Sequence, residues 1–273
     1  MMSNNTVLRI ISALVLTLVI SICFVAGPIQ TLLLIFLIGA IIVDEIYCNF
    51  FKEKRFSRRY FASQLLFILP FFLFNFVFKN QFIFDIFVKI SLFLNIFLLF
   101  YLIYSETNSD ILFKKGKKYS FLVGLFVLLP MMSIATLINS VNWQFFVIVL
   151  LVVNYSMDSG AWFVGKNFGK RKLWPSVSPN KTVEGFLGGA IIAGLSGGLF
   201  WHLFFEKMEI LNFFFFAIFG ILSQLGDLVQ SKFKRQCKIK DSSSLIPGHG
   251  GFYDRLDSLL YLAPFFASTI YSF

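Results

Sequence analysis

Nine apolar runs separated by short charged segments constrain this chain more than anything else in it. They lie near residues 8–26, 28–47, 60–78, 83–104, 119–138, 143–158, 185–205, 211–230 and 257–273. A hydrocarbon core of roughly 30 Å takes about 20 helical residues to cross, and only the sixth run falls clearly short. Composition closes off the soluble alternative. Hydrophobic residues make up 58% of the chain and charged ones 14%, too little polar side chain to cover a globule. The sequence predicts an all-α integral membrane protein of about nine transmembrane helices, forming one polytopic domain over 1–273 with no soluble module.

Charge orients the expected bundle. With nine crossings, the N-terminus and four loops share one face. They carry Arg9; Lys52, Lys54, Arg55, Arg58 and Arg59; Lys114, Lys115, Lys117 and Lys118; Lys166, Lys170, Arg171, Lys172 and Lys181; and Lys232, Lys234, Arg235, Lys238, Lys240 and Arg255. These are 21 of the 24 Lys and Arg; only Lys79, Lys89 and Lys207 fall elsewhere. The positive-inside rule then places the N-terminus in the cytoplasm and the C-terminus outside, in a multi-pass protein of the cell's inner (plasma) membrane. The first run resembles a secretory leader ending near Val25-Ala26-Gly27, but a second run follows at once, so an uncleaved helix is expected. Cys23, Cys48 and Cys237 are odd in number and widely spaced, and read as small apolar fillers.

Two loops on the basic face carry the functional groups, both within 141–273; residues 1–140 contribute only helices to this reading. Asp158 ends the sixth run, and Gly165, Gly169 and Pro175 mark turns after it. Ser178, Asn180 and Thr182 are helix N-cap types placed just before the seventh run. Together with Lys181 and free backbone N–H groups they suit phosphate, although an ordinary cap with topogenic lysines explains the same residues. Gly185, Gly189, Ala193 and Gly197 recur every four residues and predict a close-packed face on the seventh helix.

The second loop reads SKFKRQCKIKDSSSLIPGHGGFYDRLD from Ser231 to Asp257. Its basic residues are interleaved with Asp241, Asp254 and Asp257 and a Gly-His-Gly-Gly turn. That mixture suits a polyanionic substrate arriving with a divalent cation. Ser223, Asp227, Ser231 and Arg235 share one helical face. An acid in a membrane helix is costly unless paired, solvated or metal-bound, so Asp227 is a functional candidate, with an ion pair to a nearby Lys or Arg as the structural alternative. For Asp254 and Asp257 the alternative is complementing the dipole of the last helix. His249 suits either a phosphate contact or a backbone-satisfied turn, and the glycines after it, Gly250 and Gly251, let the backbone approach a ligand.

The run S-x-F-K-R-x4-K-D-x-S-x2-I-P-G-H-G-G-F-x-D-R-L-D, from Ser231 to Asp257, resembles the signature of the phosphatidate cytidylyltransferases, or CDP-diacylglycerol synthases. Asp158-Ser159-Gly160-Ala161 and Ser178-Pro179-Asn180-Lys181-Thr182 resemble a second block of that family. The resemblance implies a Mg²⁺-dependent membrane enzyme that joins CTP to phosphatidic acid, giving CDP-diacylglycerol and pyrophosphate. It implies Asp227 and Asp254 as metal ligands, with room for a second cation, and Lys240, Asp241 and Arg255 beside them at the reacting centre. Asn180, Lys181, Thr182, Ser231, Lys234, Arg235, His249, Gly250 and Gly251 are then expected to bind substrate, with Lys181 acting on the same phosphates as Lys240 and Arg255. Lipid bilayer and the two substrates are the expected partners, without nucleic acid, and a homodimer is compatible with the sequence. A CTP-dependent polyprenol or lipid kinase is the competing reading; it transfers the γ-phosphate and needs a base to activate a hydroxyl.

Overall fold

A computed structural model describes residues 4–106, 111–206, 209–248 and 250–270. Each apolar run forms a helix: α1 (Asn4–Ala26), α2 (Pro28–Glu45), α3 (Arg58–Phe72), α4 (Gln81–Tyr104), α6 (Val123–Ile138), α7 (Trp143–Phe168), α8 (Val183–Phe205), α9 (Ile210–Gln236) and α10 (Tyr253–Ile270). A short basic helix, α5 (Ile111–Lys118), lies between α4 and α6. Among the described residues, seven helices are long and apolar enough to cross a membrane. The apolar part of α1 is shorter, Ile10–Ala26, and α10 opens on Asp254, Arg255 and Asp257. The protein is thus a multi-pass, all-α membrane protein, and seven of the nine expected crossings have the length and composition of a span among the described residues.

The helices form two packed halves. In the first, α6 is apolar all round and nearly all of it is buried, so α2, α3 and α4 pack about it. In the second, α7 packs along α8, α8 along α9, and α9 along α10. The expected small-residue face is what lets α7 and α8 approach. A Cβ built on Gly189 would stand 2.7 Å from the carbonyl oxygen of Met157, and one on Gly185 would stand 2.6 Å from that of Ala161. At Gly198 the nearest atom beyond the local helix is 3.8 Å away. Gly189→Ala is therefore expected to destabilise the folded protein by about 1–3 kcal/mol through backbone displacement. Gly198→Ala should be neutral or mildly stabilising from helix propensity. Thermal unfolding of the two variants in the same detergent compares them directly.

Two sequence-level boundaries move. The sixth run continues as helix to Phe168, so Asp158 and Gly165 lie inside α7 rather than at its end and in a turn. After Gly169 the chain forms an antiparallel hairpin, β1 (Lys172–Trp174) with β2 (Ser178–Thr182), pairing Lys172 with Thr182 and Trp174 with Ser178. Pro175 sits in its turn, closed by the Val177 N–H donating to Trp174 O at 3.2 Å. Thr182 is the N-cap of α8, and its Oγ1 accepts from the Gly185 N–H at 3.1 Å.

Candidate active site

The hairpin is pinned to α8 by one carboxylate. Glu184, in the first turn of α8, accepts the backbone N–H groups of Lys170 and Arg171 at 3.0 and 3.1 Å and the Arg171 Nε–H at 3.0 Å. This folds β2 over the C-terminal parts of α7 and α9, beside a cavity of about 490 Å³. Asp158, Trp162 and Lys166 of α7, Asn180, Lys181 and Thr182 of the hairpin, Phe186 of α8, and Gln224 and Asp227 of α9 line it. Lys181 reaches across to pair with Asp227 Oδ2, while Oδ1 of the same carboxylate accepts from Ser231 Oγ at 3.2 Å. Both members of the pair keep part of their surface open, at 21% and 27% side-chain exposure, so a ligand can compete for them. The carboxylates of Asp158 and Asp257 lie within electrostatic reach of both Asp227 and Lys181. Lys181 thus stands among three carboxylates, with Lys166 on the same cavity wall.

A second cavity, of about 630 Å³, opens in the loop before α10 and is lined by Lys240, Asp241, Ser243, Ser244, Gly248, Gly250 and Arg255 among others. Its shape depends on Asp254. Oδ1 of that residue accepts from Lys234 Nζ at 2.9 Å; Oδ2 accepts the N–H groups of Ser242 and Gly251 at 2.7 and 3.0 Å. Burial alone would raise the pKa of Asp254, but the Lys234 charge and these hydrogen bonds outweigh it and hold the carboxyl below its ordinary value. Gly250 has φ +86°, a conformation in which a side chain is strained. Gly251 is needed for a different reason: a Cβ there would sit 2.0 Å from Ser242 Oγ and 2.6 Å from the Glu45 carboxylate.

The predicted site residues thus separate into two groups. Asn180, Lys181, Thr182 and Asp227 face the hairpin cavity, with Ser231 against Asp227; Lys240, Asp241, Gly250 and Arg255 face the loop cavity. Lys181 lines the hairpin cavity and Lys240 the loop cavity. The reason is length: α7 and the hairpin bring Lys181 in over α9, whereas Lys240 lies beyond the end of that helix. Tyr155 of α7 lies within electrostatic reach of Asp158, Arg255 and Asp257. Lys234 and Asp254 pair with each other, Arg235 is exposed on the last turn of α9, and Gly251 meets protein rather than open space. His249 lies outside the described residues. The wholly buried Lys232 is structural: its Nζ donates to Leu102 O at 2.6 Å and to Ser105 O, capping the C-terminal end of α4. Among the described residues no three His, Cys, Asp or Glu side chains converge as a ready-made metal cluster. Sequence reading missed Glu45, although an Asp-Glu pair ending an apolar run is the same signal that singled out Asp227.

Comparison with known proteins covers nearly the whole chain in one case and part of it in the others. A family model described as "Cytidylyltransferase family" matches residues 7–273. A protein of Bacillus subtilis named phosphatidate cytidylyltransferase is 50% identical over 115 residues, 42% of this chain and 43% of the relative. Relatives of the same name from Haemophilus influenzae and Staphylococcus haemolyticus are 44% and 42% identical over 128 and 122 residues. Those matches cover 45% and 44% of this chain, and 44% and 46% of the relatives. The matched part thus spans less than half the length of each relative.

Proposed function

The chain belongs to the cytidylyltransferase family, and from that premise we propose that it transfers the cytidylyl group of CTP to phosphatidic acid, releasing pyrophosphate. What carries the reading is the Lys181–Asp227 pair in an open cavity at the basic face of a membrane bundle, within reach of two further carboxylates. A lipid phosphate has its second pKa near about 6 and is largely ionised at neutral pH, so it attacks without a strong general base. A phosphate oxygen of the lipid forms the new bond to the α-phosphorus of CTP while the bond to the β-phosphate bridging oxygen breaks. The barrier is mutual repulsion of two anions, which cations and in-line positioning reduce. Lys181 and Asn180 would hold phosphate oxygens from the hairpin; Lys240 and Arg255 would do so from the loop.

The oxygen donors of Asp227 and Ser231 suit a hard divalent cation such as Mg²⁺. Asp254 would join them only by giving up Lys234. Such an ion supplies charge neutralisation at the transferring phosphate. The test is purified protein with labelled CTP and phosphatidic acid, with and without Mg²⁺. Labelled CDP-diacylglycerol and pyrophosphate are expected, and CDP with a phosphorylated alcohol would instead identify a kinase.

We also propose a plasma-membrane location with the basic face in the cytoplasm. Contacts from Ser12 of α1, from Glu45 at the end of α2 and from Asn49 just after it to the loop at 242–253 support a common side for these segments. A tag inserted at 51–57 should be accessible only from the cytoplasm and a C-terminal tag only from outside. A cytoplasmic C-terminus would require an even number of crossings.

A further inference from the structure

We propose that Glu45 is a positioning residue of the transfer reaction: its buried carboxylate, delivered from the N-terminal half, holds the loop at 242–253 in the shape that presents Asp254 and Arg255. The inference rests on the functional reading above only for its activity measurement. Glu45 is 2% exposed. Its Oε1 accepts from Ser243 Oγ at 2.7 Å and the Phe252 N–H at 3.0 Å; its Oε2 accepts from the Tyr253 N–H at 2.9 Å and lies 3.0 Å from Ser242 Oγ. That hydroxyl is also 2.9 Å from Asp254 Oδ2, so its one proton lies between the two carboxylates. Nearby, Asn49 Nδ2 donates to Ser242 O at 2.7 Å. Both sides of the loop are thereby tied to the end of α2 and to the short π-helix Ile46–Phe50 that continues it, some 200 residues away in sequence.

The chemistry of the contact distinguishes a carboxylate from an amide at this position. Four donors converge on two oxygens, and two of them are backbone N–H groups that cannot turn into acceptors. A carboxylate satisfies all four. An amide does not: whichever way it is turned, its NH₂ faces Phe252 N–H or Tyr253 N–H. Those N–H groups open α10, where a negative charge is also favoured by the helix dipole. Gly251 allows the approach, since its missing side chain is the space that Glu45 and Ser242 occupy.

Glu45→Gln is therefore expected to lower kcat roughly 10–100-fold with a smaller change in KM, and Glu45→Asp to recover part of the loss. The loop itself gives an independent reading. Leu245 is 55% exposed, and a Leu245→Cys substitution labelled with a water-soluble maleimide reports loop mobility. Labelling should be several-fold faster in the Glu45→Gln background, with thermal unfolding of the bundle little changed. Gly251→Ala should reproduce both effects from the other side of the contact. It also carries the test if Glu45→Gln fails to insert. Unchanged labelling in both variants overturns the proposal, as does full activity with a loosened loop. If the unsubstituted protein makes no CDP-diacylglycerol, the functional reading fails while the labelling result still decides whether Glu45 holds the loop.

Discussion

Asp227→Asn is expected to reduce cytidylyl transfer about a thousandfold while leaving the protein inserted and folded. The substitution keeps the shape of the side chain and removes the charge that pairs with Lys181 and faces Ser231. Two consequences follow at once. Lys181 loses its acceptor and is no longer held over the cavity, and the pair of oxygen donors Asp227 and Ser231 loses its anion. Fold stability should suffer far less, because the pair is part-exposed and an exposed pair contributes little. Initial rates at saturating CTP over a range of Mg²⁺ concentrations, set beside a thermal melt, separate the two effects. More than about a tenth of the normal rate would reduce Asp227 to a structural ion pair.

The membrane fold was legible because apolar runs of bilayer length report themselves without reference to tertiary contacts. Every run became a helix. Their ends were harder, for a physical reason. Asp158 and Lys166 sit inside α7 although they interrupt its apolar pattern, since a helix can continue past the membrane face into a polar cavity. The hairpin was hidden for a related reason. Its two short strands are fixed by the Glu184 contacts with Lys170 and Arg171, and such contacts leave no periodicity in sequence. In the site, residue type identified Lys181 and Asp227, because a charge in an apolar setting must have a partner. It could not say that the partner of one is the other. Glu45 carried the same signal as Asp227, but what it holds was not legible, because its donors are loop groups in a segment nearly 200 residues distant and backbone N–H groups have no identity in a sequence.

The arrangement of the two cavities yields the second large effect, in a double-mutant cycle. Lys181→Ala alone should lower kcat/KM for one or both substrates by roughly 10²-fold, and the Lys181→Ala/Asp227→Asn double variant should be little worse than Asp227→Asn itself. The two side chains touch, so each single change already removes what the other contributes. Lys181→Arg retains the charge but changes its geometry and should restore only part of the rate. Lys240 provides the contrast. It lines the loop cavity, separate from Lys181, so the losses from Lys181→Ala and Lys240→Ala should multiply. One phosphate chain shared by both lysines would give the opposite pattern, with the double variant close to the worse single one. That outcome would mean the cavities close onto a common ligand during turnover, through movement of the loop that Glu45 and Asp254 hold. Multiplying losses would mean that each cavity contributes its own binding energy, one for each anion that the reaction must bring together.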